Sequence, residues 1–216
     1  MANPTTKMAP GDLGSEQLYS ASHPAGKAGT NRERVLDVGC GPYKIAGAIG
    51  VDHRSAQGVD VICDLDCLPW PFADNAFDRA ICRHSLAHMG NVVRAMEELH
   101  RILRPGGVLE ILTPHFSSDN AFTDITSRWF FGARSMNYFC TNRMMKYRYG
   151  RGAYELLEVR ISFREARVFE PAQQKPNPFK AMGIEALVNR FPRFYEHFLA
   201  LILRANEIYY RLRVVK

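Results

Sequence analysis

"RVLDVGCGPYKIAGAIGVD", residues 34–52, decides how the rest of the chain is read. Val35, Leu36 and Val38 form a short β-branched and apolar run around Asp37, and a turn with Gly39, Gly41 and Pro42 follows at once. A second apolar run then ends in Asp52. A strand, a glycine turn that lets backbone approach a ligand, and a second strand ending in a carboxylate together indicate an α/β sheet that binds a nucleotide-type molecule.

The same residues narrow the ligand. A dinucleotide turn needs G-x-G-x-x-G, but here Lys44 occupies the third glycine position. Pro42 offers no N–H to a phosphate, and Tyr43 is bulky where the phosphates would pass. A phosphate-binding P-loop is excluded because no Gly-Lys-Ser or Gly-Lys-Thr follows at the required spacing. The turn therefore suits a ligand without phosphate, and S-adenosylmethionine, a zwitterionic amino acid joined through a sulfonium to adenosine, is one. Asp37 is placed to answer its cationic end and Asp52 its ribose diol. Asp64 could accept from the adenine amino group while the Leu65 N–H meets the ring.

Working outward, the candidate strands are "RVLDVG", "AIGVD", "VDVICDL", "FDRAICR" and "GVLEILTP". Asn91 caps a helix in which Val92, Met96, Leu99 and Leu103 recur at steps of four, three and four until "RPGG" stops it. Such a helix between two strands makes a right-handed crossover with the strands parallel. The interval from Gly41 to Asp52 leaves room for only about two turns of a first crossover helix. "YELLEVRISF" and "EARVFEP" read as two more strands, close enough to be antiparallel. From about Pro178 the pattern reads as helical, with Phe194, Phe198, Leu201, Ala205, Ile208 and Leu212 on one face.

Three blocks carry a family resemblance: "VLDVGCGP", "DLDCLPWPFADNAFDRAICRHSLAHM" and "MEELHRILRPGGVLEIL", in that order between about residues 34 and 114. They resemble the cofactor half of class I S-adenosylmethionine-dependent methyltransferases, in the methyltransferase type 11-like branch. The resemblance implies a Rossmann-like, seven-stranded, mostly parallel α/β sheet with an antiparallel final strand, followed here by a C-terminal helical extension. It also implies S-adenosylmethionine as cofactor, held by Asp37, Gly39, Cys40, Gly41, Asp52, His53, Asp64, Leu65, Arg83 and His84. Cys40 enters as a small filler with a backbone role, because no base neighbours it in sequence. His84, His88 and His100 invite a metal reading, which is set aside because no adjacent carboxylate completes a site.

In parallel sheets the ligand lies beyond the carboxyl ends of the strands, so an acceptor should meet the residues after "GVLEILTP". There Phe116, Phe122, Trp129, Phe130, Phe131, Tyr138 and Phe139 interleave with polar residues, a composition suited to a small organic acceptor. His115 is the leading proton acceptor for a hydroxyl substrate, with Asp119, Asp124 and Tyr138 in reserve. Asn137 or Tyr138 would orient an amine.

Composition bounds the remainder. A chain of 216 residues, 46% hydrophobic, supports one core. Residues 1–30, rich in Ala, Gly, Ser, Thr and Pro, read as a flexible tail and 31–216 as one domain. Five cysteines without disulfide or zinc spacing favour a reducing cytoplasm. Neither a signal peptide nor a transmembrane segment is expected. The net charge of +6, concentrated between Arg128 and Arg167, reads as a solvated basic face; no RNA-binding module accompanies it, so nucleic acid is not an expected partner. The expected activity is methyl transfer to oxygen or nitrogen of a small molecule, in secondary metabolism or glycan synthesis. Two other readings stay open. One is a cyclase or lyase consuming S-adenosylmethionine itself, for example to azetidine-2-carboxylate with release of methylthioadenosine. The other is a non-catalytic binding protein docking through its basic, amphipathic C-terminal segment, which could alternatively form a homodimer.

Overall fold

A computed structural model describes residues 33–143, 147–164 and 176–216. Seven strands form one sheet: β1 (Val35–Val38), β2 (Ile49–Asp52), β3 (Val61–Ile62), β4 (Phe77–Arg83), β5 (Leu103–Pro114), β6 (Ala153–Ser162) and β7 (Glu207–Val215), in the order β3-β2-β1-β4-β5-β7-β6. The first five run parallel, and β7 pairs antiparallel with both β5 and β6. The expected Rossmann-like sheet with its antiparallel member is therefore present.

The expected crossover helix is α1 (Val92–Ile102), between β4 and β5. The Asn91 side chain accepts from Arg94 N at 3.1 Å, capping the first turn. Val92, Met96 and Leu99 bury the apolar stripe against the sheet. On the other side of β1 the expectation changes. Among the described residues, the links from β1 to β2, β2 to β3 and β3 to β4 carry no helix. Gly39, Gly41 and Gly47 all adopt positive φ, and Pro42 interrupts the run, so the backbone turns where the first crossover helix would start. Asp37 accepts from Ile45 N at 2.8 Å, and Lys44 pairs with Asp60 at 2.7 Å, fixing the link as a compact loop. The third strand is shorter than "VDVICDL" implied, so Asp64 lies in the turn after it.

The C-terminal reading needs correction. After β5 comes a single helical turn, α2 (Asn120–Thr123). Helical turns do occur from Pro178, where α3 (Pro178–Ala181), α4 (Ile184–Arg190), α5 (Pro192–Phe194) and a π-helical turn (Tyr195–Leu199) follow β6. The helix does not continue through Ile208 and Leu212, because residues 207–215 form β7. Ile208, Tyr210, Leu212 and Val214 are all buried, while Arg211 and Arg213 alternate with them and stay exposed. That two-residue period, rich in aromatic and β-branched side chains, is a strand pattern. "EARVFEP" lies outside the described residues, and so does the N-terminal tail.

β7 also brings the last part of the chain to the rim where ligands bind in such sheets. Its first residue, Glu207, pairs with Pro114 at the carboxyl end of β5.

Candidate functional site

A cleft of about 570 Å³ opens at the carboxyl ends of β1, β2 and β4. Its walls include Gly39, Asp52, His53, Asp64, Leu65, Arg83 and His84, which the sequence reading singled out for the cofactor. Asp37, Cys40 and Gly41 stand behind this wall.

The glycine turn is tied down from both sides. Gly39 N donates to Val51 O at 2.8 Å, and Gly39 has φ +68°. A Cβ there would lie 2.4 Å from Cβ of Ser85, whose hydroxyl donates to Val38 O at 2.6 Å. Only glycine lets the turn pass so close to the end of β4. Asp52 then fixes the far side, its Oδ2 accepting from Gly41 N at 2.9 Å and its Oδ1 from Arg54 N at 3.2 Å, with His53 Nδ1 2.9 Å away. Burial works against the charged form of Asp52. The two backbone donors and His53 outweigh it, holding the carboxyl below its ordinary range.

Asp37 is fully buried beneath the turn. Its Oδ2 accepts from Ile45 N and pairs with Arg83 Nη2, both at 2.8 Å, and Arg83 also donates to Tyr43 O. Oδ1 of Asp37 is buried without a hydrogen-bond partner among the described residues. Burial, then the charges of Asp37 and Asp52, push the Cys40 thiol up to about 11, so it stays protonated and packs as a small apolar group.

The opposite wall comes from the β3–β4 loop. Asp64 accepts from Asp66 N at 3.0 Å, and with the Cys67 thiol this holds its carboxyl below the usual range. Trp70, buried in the core, donates from Nε1 to Leu65 O at 3.1 Å and from its backbone N to Glu98 Oε2 at 3.0 Å, locking the loop to α1. Asp66 accepts from Gly90 N at 2.6 Å, joining this loop to the segment after β4.

Several wall residues were not foreseen for this cleft: Arg54, Asp66, His88, Met89 and Thr126, together with Asp124, considered only as a reserve proton acceptor. Asp124 accepts from both N (2.9 Å) and Oγ1 (2.7 Å) of Thr126, the local turn that a D-x-T triplet favours, and Thr126 Oγ1 lies 3.0 Å from His88 Nδ1. His84, at φ +55°, points Nε2 to Oε1 of buried Glu207 at 3.1 Å. No spacing rule could have joined residues so far apart in the chain.

The three residues selected for catalysis are not brought to this cleft. His115 is completely buried. Ser117 N donates to its Nδ1 at 3.2 Å, which leaves Nε2–H to donate to Glu196 Oε1 at 3.3 Å. Both ring nitrogens are therefore occupied by the packing of the loop on the π-helical turn. Asn137 and Tyr138 are carried to the opposite end of the sheet. The adjoining Cys140 and Thr141 pair with Tyr154 near the start of β6, and the ring of Tyr138 stacks on Tyr149 at 5.0 Å. The chain after β5 crosses the sheet before β6 begins, and that path removes them from the carboxyl rim.

The cleft carries four carboxylates, Asp52, Asp64, Asp66 and Asp124, against two arginines, Arg54 and Arg83. Such a surface repels phosphates and attracts a cation. Asp52 retains acceptor capacity for hydroxyls beyond its three contacts, Leu65 supplies an apolar edge, and Arg83 suits a carboxylate. A sulfonium nucleoside bearing an amino acid fits this donor set. Among the described residues, no cluster of His, Cys, Asp and Glu is arranged to hold a metal.

A Rossmann-like sheet with a phosphate-averse cleft at its switch point defines a nucleoside-binding α/β domain. The model of the methyltransferase domain matches residues 43–111, from the glycine turn into β5. The chain is 32% identical over 123 residues to the 2-phytyl-1,4-naphtoquinone methyltransferase of Synechocystis sp., covering 45% of this chain and 51% of that protein. It is 33% identical over 129 residues to methyltransferase GfsG of Streptomyces halstedii, covering 47% and 43%. A solved S-adenosylmethionine-dependent methyltransferase from Archaeoglobus fulgidus shares the fold with a TM-score of 0.50 at 16% identity, over 85% of this chain and 86% of that one. Residues 43–111 thus match the methyltransferase domain within a sheet of the same fold as that solved methyltransferase, and the chain spans about half or less of the length of these two curated relatives.

Proposed function

We propose that the chain transfers a methyl group from S-adenosylmethionine to an oxygen or nitrogen atom of a small molecule. One observation carries this reading: Asp52, ending β2, and Asp64, just after β3, share a cleft with His84, whose ring pairs with Glu207. When bound, S-adenosylmethionine supplies an electrophilic methyl group on a sulfonium. Around it, Asp52 accepts from the ribose hydroxyls, while Asp64 and Leu65 flank the adenine. Arg83, oriented by Asp37, meets the amino-acid carboxylate. For a hydroxyl acceptor, His84 takes the proton and Glu207 holds the ring in place. An amine acceptor that arrives neutral needs only alignment.

The curated relatives include one named for a phytylated naphthoquinone, so lipophilic ring compounds come first in an acceptor screen. A cytoplasmic setting in secondary metabolism or glycan synthesis belongs to the same proposal; the five free cysteines are compatible with a reducing compartment. The test is incubation with S-adenosylmethionine alone, followed by mass spectrometry, then the same with candidate acceptors. The expected result is intact cofactor alone and S-adenosylhomocysteine only with an acceptor. Methylthioadenosine released without acceptor would replace this reading by cofactor cyclisation or cleavage.

A further inference from the structure

The helical segment between β6 and β7 holds a surface that the cofactor cleft does not use. Phe191, Phe194 and Phe198 are more than half exposed, and Leu201 and Ile202, at 77% and 85%, stand almost entirely in solvent. Phe194 and Phe198 lie 5.1 Å apart between ring centroids, and with Arg190 and Arg193 they line a groove of about 910 Å³. Apolar side chains this large and this exposed, side by side on a short irregular segment, mark an interaction surface.

The charges choose the partner. The exposed ionised side chains of residues 178–204 are Lys180, Arg190, Arg193 and Arg204, all basic. Both acidic residues of the segment are half-buried and already engaged: Glu185 accepts from Ser162 Oγ and Phe163 N, at 3.0 and 2.9 Å, and Glu196, at the groove wall, from Ala133 N and His115. Tyr195 and Ala200, buried on the inner side, anchor the segment and present the opposite side outward. An aromatic and aliphatic tip whose exposed charges within residues 178–204 are all cationic is complementary to a layer with an apolar interior and an anionic surface.

We propose that residues 182–204 are a docking surface for an anionic lipid bilayer, with Phe194, Phe198, Leu201 and Ile202 entering the interface and Arg190, Arg193 and Arg204 meeting lipid phosphates. No helix among the described residues is long and apolar enough to cross a membrane, so attachment through this segment is peripheral. The proposal does not depend on the methyl-transfer reading.

The test is flotation of the full chain with vesicles of phosphatidylcholine, with and without phosphatidylserine. Flotation is expected with the anionic vesicles and is lost in high salt. Arg190→Gln with Arg193→Gln lowers partitioning about thirtyfold, since each cation near an anionic surface carries roughly a factor of five or six. Leu201→Ser with Ile202→Ser weakens it as well, and both variants keep the circular dichroism of the parent, because the substituted side chains are exposed. Failure of the parent chain to float would overturn the proposal. So would equal flotation of the folded variants, or a dimer in gel filtration that Leu201→Ser with Ile202→Ser converts to monomer without affecting flotation, which would assign the face to a second copy.

Discussion

At the scale of single residues, the site rests on contacts that have no room to change. Gly39 combines positive φ with a neighbour 2.4 Å from where its Cβ would be, so Gly39→Ala is expected to cost about 2 kcal/mol in urea unfolding and to distort the cleft wall. In the proposed reaction Glu207 positions His84: Glu207→Gln is expected to leave S-adenosylmethionine affinity near that of the parent and to lower kcat for a hydroxyl acceptor about a hundredfold, measurable once an acceptor is known. Unchanged kcat in the folded variant would remove His84 as the proton acceptor. The positions of residues in the first strand–turn–strand unit were legible because they are set locally: Asp37, Gly39 and Asp52 lie where the strand ends put them. The pairing of His84 with Glu207 was not, although His84 itself was named for the cofactor, because that pairing is made by the sheet order rather than by spacing. His115 misled for the same reason. A histidine following a strand at the carboxyl rim has the right address, yet Ser117 and Glu196 close around it.

At the scale of elements, α1 was readable to its cap because Asn91 and the stripe of Val92, Met96 and Leu99 satisfy one period only. β7 was ambiguous. Ile208 and Leu212 are four apart and continue a helical face, whereas Ile208, Tyr210, Leu212 and Val214 are two apart and alternate with Arg211 and Arg213. The pairing of β7 with both β5 and β6 settles the competition, since each neighbour contributes a full ladder of backbone hydrogen bonds. The distinction can be tested by deletion. Removing residues 207–216 takes out an interior strand of the sheet and should leave a chain that fails to fold, read as loss of cooperative thermal unfolding. A dispensable terminal helix would tolerate the same deletion.

At the scale of the whole molecule, charge and fold act together. Asp52, Asp60, Asp64, Glu98 and Asp124 all have carboxyls held below their ordinary ranges by hydrogen bonds and cationic neighbours that exist only in the folded chain. The unfolded chain takes up these protons first as pH falls. The stabilisation is therefore complete above the usual carboxylate range, near pH 4, and drains away as acid passes through the depressed values. The melting temperature should accordingly fall steeply below about pH 4.5 and vary little between pH 6 and 8. Substituting Asp52 by Asn should flatten part of that decline.

The central claim is that a phosphate-averse cleft at the ends of β1, β2 and β4 binds a sulfonium nucleoside. Isothermal titration of the full chain with S-adenosylmethionine, S-adenosylhomocysteine, ATP and NAD tests it most directly, in parent and Asp52→Asn protein. Single-site binding of the first two is expected, with none of the phosphorylated pair and a loss of about tenfold or more in the folded variant. Tighter binding of ATP or NAD, or an Asp52→Asn protein that binds S-adenosylmethionine as well as the parent, would contradict it.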